Sequence, residues 1–171
     1  MQNIIIISGV SKGLGFGIAE RLLSKGWLVA GFSRKTNKQV ASLKKKYKNK
    51  FLFELMDIKK YSKYQGFLDK IKKKGNLFGL INNAGTVYED LLVRQDDKQI
   101  RDLLEINLLA PILFTKKVVK YMMINNSGRI INISSIVAKS GYKGTVAYSS
   151  TKSGLEGMTR ALSRELGGKN I

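Results

Sequence analysis

From Ile4 to Ser8 every residue but the last is isoleucine, and the run passes directly into Gly9-Val10-Ser11-Lys12-Gly13-Leu14-Gly15. A continuous apolar run, rather than an alternating one, suits a strand buried on both faces. Phe16 to Lys25 then has helical spacing through Ile18, Ala19, Leu22 and Leu23, and Gly26 stands where a glycine ends a helix. Strand, glycine turn and helix in this order let the backbone approach a pyrophosphate, whose charge the free N–H groups of the helix N-terminus stabilise. The spacing Gly-x-x-x-Gly-x-Gly departs from the commoner Gly-x-Gly-x-x-Gly. Outside this context the same glycines would be no more than a tight turn.

The alternation continues along the chain. Trp27 to Phe32 reads as a second strand, Val40, Leu43 and Tyr47 mark a short amphipathic helix, and Phe51 to Met56 reads as a third strand. Tyr61, Tyr64, Phe67, Leu68 and Ile71 recur at three- and four-residue steps, the apolar stripe of a helix that packs on a core. Leu77 to Ile81 is a fourth strand. A long helix follows over Asp97 to Met123, with Pro111 expected to kink it, then a fifth strand over Arg129 to Ser134. A last helix runs from Tyr148 to Leu166, closed by Gly167-Gly168. Strands alternating with helices over short connections predict an α/β fold, a doubly wound parallel sheet with helices on both faces. With 171 residues, one proline, no repeats and no linker, one domain is expected.

Chemistry is narrowed by what the chain lacks. It has no cysteine and no histidine, which excludes a disulfide framework, thiolate chemistry, a Ser-His-Asp site and the usual imidazole metal sites. Any acid or base is therefore Asp, Glu, Lys or Tyr, and no metal centre is expected. Met1 to Val10 has no basic leader, and no stretch approaches ~20 apolar residues, so neither a signal peptide nor a membrane span is expected. The absence of cysteine is compatible with a reducing cytoplasmic setting. The net charge of +19 fits either attraction to a polyanion or a lysine-biased solvent face. Lys44-Lys45-Lys46-Tyr47-Lys48-Asn49-Lys50 and Lys72-Lys73-Lys74 fall at the ends of helical segments, where cations suit the dipole. That favours the solvent face, and no nucleic-acid motif accompanies the charge.

The end of the second strand should face the adenosine ribose of a dinucleotide. An Asp or Glu there would bond both ribose hydroxyls, but this chain has Phe32-Ser33-Arg34-Lys35. Arg34 forks onto a phosphate, and Lys12 in the glycine turn adds a second cation, so NADP(H) is expected over NAD(H). The plain alternative is two solvated cations. Asp57, with Ile58 beside it, follows the third strand where it caps an adenine amino group. Asn82-Asn83-Ala84-Gly85 closes the fourth strand on the ligand-binding edge with residues small enough to pass near a cofactor. Gly9, Ser11, Lys12, Gly13, Leu14, Gly15, Arg34, Asp57, Ile58, Asn83, Ala84 and Gly85 form the expected cofactor set, joined by Tyr148 and Lys152.

Ser135 follows the fifth strand, and thirteen residues later Tyr148-Ser149-Ser150-Thr151-Lys152 opens a helix. Tyr and Lys four apart share one helical face. A phenol with its usual pKa near ~10 exchanges protons poorly at neutral pH, and a neighbouring ammonium favours the phenolate. Ser135 would donate to a substrate oxygen that gains negative charge as hydride arrives. A lone Tyr-x-x-x-Lys is common on helix surfaces; with Ser135 and the phosphate turn it points to proton transfer during carbonyl reduction.

These motifs, in this order, resemble the short-chain dehydrogenase/reductase family along the whole chain: the turn from Ser8 to Gly15, Asp57, Asn82 to Gly85, Asn107, Ser135, then Tyr148 and Lys152. Ser8 stands where the family more often has threonine. The resemblance implies a Rossmann-type sheet of strand order 3-2-1-4-5. It also implies Asn107 as a fourth catalytic residue that holds a proton-relaying water, and a bond from Lys152 to the nicotinamide ribose. The stretches Asn82 to Arg94 and Gly128 to Ser135 are similar to those of the subclass reducing 3-oxoacyl thioesters on an acidic acyl carrier protein in fatty acid biosynthesis. Relatives reducing sugars, steroids or simple ketones share them. The resemblance further implies a homo-oligomer, a dimer or tetramer. Members continue past Leu166 with a sixth strand, a substrate loop with its helix, and a seventh strand. The chain is therefore expected to be a C-terminally truncated fragment with five strands, its fifth strand an unpaired edge carrying Ile130, Ile131 and Ile133. A cofactor-binding remnant with little catalysis is the alternative.

Overall fold

The four isoleucines of the first strand divide between two cores, which is why the run needs no polar alternation. Ile4 and Ile6 are buried on one face of the sheet, and Ile5 and Ile7 on the other. The structure, a computed structural model, describes residues 2–171. These form strands β1 (Asn3–Ser8), β2 (Leu28–Ser33), β3 (Phe51–Leu55), β4 (Asn76–Asn82) and β5 (Arg129–Asn132). The helices are α1 (Gly13–Ser24), α2 (Lys38–Lys46), α3 (Lys63–Lys72), α4 (Asp97–Leu104), α5 (Ala110–Ile124), α6 (Val137–Ser140) and α7 (Val146–Leu166). All strand pairs are parallel, in the order β3-β2-β1-β4-β5. The register sets Ser8 beside Phe32 and Asn82 beside Asn132, so the strands' carboxyl ends share one edge.

Tyr64 and Phe67 of α3 and Phe114 of α5 cover one face, their rings meeting Phe32 or one another edge-on. Ala19 and Leu23 of α1, with Val40 and Leu43 of α2, cover the other. Burying each such side chain contributes about 1.5–3 kcal/mol. Gly26 adopts φ +89°, and α1 ends as its position requires: the Gly26 N–H donates to Leu23 and the Trp27 N–H to Leu22. That second bond occupies Trp27, and β2 begins at Leu28.

The expected long helix is three segments. After α4 the ladder widens into a π turn over Glu105–Leu109, where the Ala110 N–H donates to Glu105, and only then does α5 begin. Pro111 sits in the first turn of α5, not at a mid-helix kink. Its missing N–H and its ring, which crowds the carbonyl four residues back, are accommodated by the wider turn at Asn107. The last helix starts two residues earlier than expected, at Val146, and β5 stops at Asn132, two residues short of Ser134. Among the described residues β5 pairs only with β4, and Ile131 is 52% exposed. No described helix is long and apolar enough to cross a membrane.

Candidate active site

At the carboxyl edge of the sheet the turn after β1 is locked to the end of β4 by one hydroxyl. Ser8 Oγ accepts from the Asn83 N–H at 3.0 Å and the Ala84 N–H at 2.9 Å, and donates to the Ile81 carbonyl at 3.5 Å. Asn83 returns the contact, its Nδ2 donating to the carbonyls of Ser8 (2.9 Å) and Gly9 (3.1 Å). Gly15 makes this possible: a Cβ there would lie 2.3 Å from the Gly9 oxygen and 2.4 Å from Asn83 Nδ2. Serine supplies the hydroxyl that threonine supplies elsewhere in such turns, so the replacement at Ser8 keeps the lock.

Beside the lock opens a cleft of about 610 Å³. Gly9, Ser11, Lys12, Gly13, Arg34, Asp57, Ile58, Asn83, Ala84 and Gly85 of the expected cofactor set line it. Leu14, Gly15, Tyr148 and Lys152 do not: Leu14 is exposed, Gly15 is packed behind the turn, and Tyr148 and Lys152 are on α7, outside the lining. The first turn of α1, whose Gly13 lines the cleft, carries no acidic residue and no side-chain cap, so its first backbone N–H groups have no internal acceptor. At the Arg34 end the walls are Phe32, Ser33, Arg34, Lys35, Thr36 and Asn37, none of them acidic. Among the described residues Lys12, Arg34 and Lys35 form no ion pair. Asn37 escaped the sequence reading, although an Asn three residues before Val40 is an N-cap pattern. Its Oδ1 caps α2 at the Val40 N–H (3.0 Å), and its Nδ2 donates to the Ser11 carbonyl, joining the two cation-bearing turns.

Gly85 is where the cleft meets Asn107 and Lys152. A Cβ on Gly85 would stand 3.3 Å from Asn107 Oδ1 and 3.8 Å from Lys152 Nζ. Asn107, fully buried on the π turn, clamps Thr86: its Oδ1 accepts from the Thr86 N–H and its Nδ2 donates to the Thr86 carbonyl, both at 2.8 Å. The same Nδ2 reaches Thr151 Oγ1 of α7 at 3.3 Å. Its side chain is thus occupied in fixing the turn beneath Gly85. Spacing alone does not reveal Asn107; Pro111 four residues later marks the disturbed ladder that presents it.

Lys152 is 5% exposed, and its Nζ donates to the Ile133 carbonyl at 2.7 Å. Burial holds its ammonium pKa below the usual lysine value. The same Nζ stands 5.8 Å from the centre of the Tyr148 ring, which is the shared face that a four-residue step on α7 dictates. Ser135, partly buried, follows β5, and its Oγ accepts from the Val137 N–H at 3.4 Å. The segment around it is stitched to α7 by Ser149 to the Val137 carbonyl, Ser153 to the Ala138 carbonyl (2.8 Å) and Ser134 to Glu156 (3.1 Å). Ser135 and the Tyr148–Lys152 face are thereby carried on one bonded unit.

An α/β fold with its cleft at the strands' carboxyl edge, a glycine turn feeding a helix N-terminus, and a Tyr-x-x-x-Lys helix flanking it define a dinucleotide-binding class of protein. The chain belongs to the short chain dehydrogenase family, whose sequence profile matches residues 3–171. It is 34% identical over 175 residues to 3-oxoacyl-(acyl-carrier-protein) reductase FabG of Chlamydia muridarum, covering 100% of this chain and 71% of that protein. To the same reductase of Escherichia coli it is 33% identical over 171 residues, covering 99% and 69%. A short-chain dehydrogenase from Streptomyces avermitilis superposes with a TM-score of 0.94 at 27% identity, covering 100% of this chain and 63% of that one. ElxO, solved with NADP bound, superposes at 0.92 with 30% identity, covering 99% and 70%.

Proposed function

We propose that this protein is an NADP(H)-dependent oxidoreductase that reduces a carbonyl to an alcohol, with a 3-oxoacyl thioester on acyl carrier protein as the substrate. The observation that carries this reading is the meeting at Gly85 of a cleft lined by dinucleotide-type residues with Asn107 and Lys152. The cofactor fits the residues present: an uncapped helix N-terminus for the pyrophosphate, and Arg34, Lys35 and Lys12, free of carboxylate partners, for a 2′-phosphate. Asp57, Ile58, Asn83, Ala84 and Gly85 would hold the remaining length, with Tyr148 and Lys152 at the nicotinamide end. The bound dinucleotide would supply the hydride. Tyr148 gives its phenolic proton to the carbonyl oxygen as the carbon is reduced, and takes one back from solvent. Ser135 donates a hydrogen bond to the same oxygen, and the Lys152 ammonium, beside the ring, meets the negative charge left on the phenol.

The thioester assignment draws on similarity to the Chlamydia and Escherichia reductases. The net charge of +19 suits an acidic carrier. Exposed Leu104, Leu109 and Ile112 support self-association, and the absence of cysteine suits a cytoplasmic setting. The test is NADPH oxidation with an acetoacetyl thioester. Turnover is expected, with Tyr148→Phe reducing it to background while NADPH affinity stays within about twofold. Activity that survives Tyr148→Phe overturns the assignment. NADPH binding without turnover of the thioester or of simple ketones leaves the chain a cofactor-binding protein only.

A further inference from the structure

The loop after β3 does more than floor the cleft. Asp57 Oδ1 accepts from the Lys59 N–H at 2.9 Å, folding the loop back so that Lys59 and Tyr61 project toward α4 and the π turn. Lys59 Nζ lies 3.0 Å from Asp102 Oδ1, and Lys98 holds the other carboxylate oxygen at 3.3 Å. The Tyr61 hydroxyl donates to Glu105, the first residue of the π turn. Burial, then Glu105, raises the Tyr61 phenol pKa to about 12, so it remains a donor at any neutral pH. Between these two polar links, Ile58 and Ile106 are both buried, and both line the cleft wall. The buried Tyr64 hydroxyl, bonded to the Ile58 carbonyl, anchors the loop to α3.

Glu105 and Asn107 are two residues apart on one turn, so whatever fixes the first constrains the second. π turns are rare, appear mostly as single widened turns inside α-helices, and are frequent at functional sites. We propose that Tyr61 and Glu105, assisted by the Lys59–Asp102 pair, latch the Asp57–Ile58 loop to the π turn, so that they are positioning residues for Asn107 and link it to the adenine end of the cleft. The catalytic consequence rests on the function proposed above, with Asn107 as the fourth catalytic residue that the family resemblance implies; the latch itself is a property of the chain.

The full chain is tested as Tyr61→Phe, which removes one oxygen, and as Glu105→Gln and Glu105→Ala. Hydrogen exchange at the amides of Glu105–Leu109 is expected to be about fivefold faster in Tyr61→Phe, with the melting temperature changed by no more than about 2 °C. With acetoacetyl thioester, kcat is expected to fall about tenfold while the NADPH KM stays within about twofold. Glu105→Gln, whose amide oxygen still accepts from Tyr61, retains most of kcat, and Glu105→Ala does not. Unchanged exchange over Glu105–Leu109 in Tyr61→Phe overturns the latch, as does a Glu105→Gln variant as impaired as Glu105→Ala. A wild-type chain without turnover strikes the proposed function instead, and the exchange comparison still decides the latch.

Discussion

The dinucleotide side of the sheet, β3-β2-β1-β4, and the flank made of β5 and α7 are held by different forces. In β2 all six residues are buried, and in β1 five of six, so that half is fixed by apolar packing on two faces. β5 has four residues, none fully buried, and β5 and the segment after it, through α6, meet α7 by polar bonds: Asn132 to Thr159, Ser134 to Glu156, Ser153 to Ala138 and Lys152 to Ile133. Non-directional burial suits a cleft that must keep its shape. Directional bonds suit a unit that, in the function proposed here, aims a phenol, a hydroxyl and an ammonium. The lesson is that one sheet carries a grip and an aiming device with separate sources of rigidity, so damage to them should separate experimentally.

The strongest way to probe that separation is Leu80→Ala, buried in β4. It is expected to cost about 2–5 kcal/mol by denaturant unfolding, since the cavity it leaves cannot close. Gly15→Ala comes next, at about 1–3 kcal/mol of overpacking. It is expected to lose NADPH binding with the lock it displaces, and titration with retained affinity would show that the lock is dispensable. Ser153→Ala on the flank should cost about 1 kcal/mol and lower kcat while leaving NADPH affinity unchanged. A matching loss of affinity would merge the two halves.

Lys152 gives a pH test. Its folded pKa lies below its unfolded value, so between the two the unfolded chain binds more protons, and this group's contribution to stability rises as pH climbs toward 10.5. Melts of wild type against Lys152→Met should therefore move in favour of wild type over that window. The smallest effect is expected for Ile131→Ala, within about 0.5 kcal/mol, because that side chain faces outward.

The two halves also differed in how far the sequence disclosed them. The isoleucine run, the glycine turn and the Gly26 stop are local patterns, and they placed β1, α1 and the Gly9–Gly13 part of the cleft wall. Parallel pairing followed from the same alternation, the strand order only from the family resemblance, and Arg34, Asp57 and Asn83, read from the strand ends, line the cleft. The lock at Ser8 was not legible, because its partners lie 73 to 76 residues away and only the folded register aligns them. Leu14 and Gly15 were expected at the cofactor for their position in the motif, while Gly15 acts from behind it. Asn107 rested on resemblance alone, since a π turn leaves no periodic trace beyond the proline that follows. Ser149 and Ser153, which stitch the Ser135 segment to α7, are ordinary helix-surface residues until their acceptors, 12 and 15 residues back in the chain, are known, and Ser134 finds its acceptor, Glu156, 22 residues on.

Gly85, where the cleft meets Asn107 and Lys152, also divides the chain in time. By the time Gly85 leaves the ribosome, every residue lining the cleft except Ile106 has already been made. Lys152 is sixty-seven residues later, a delay of roughly 3–13 s at typical synthesis rates. The strands and turns that line the cleft are made first, but Ala110, Phe114, Val118 and Met122 of α5, which complete one of the two cores, come later, as do Tyr148 and Lys152. The lining of the cleft is thus made well before both the helix that covers one face of its sheet and the groups proposed to use it.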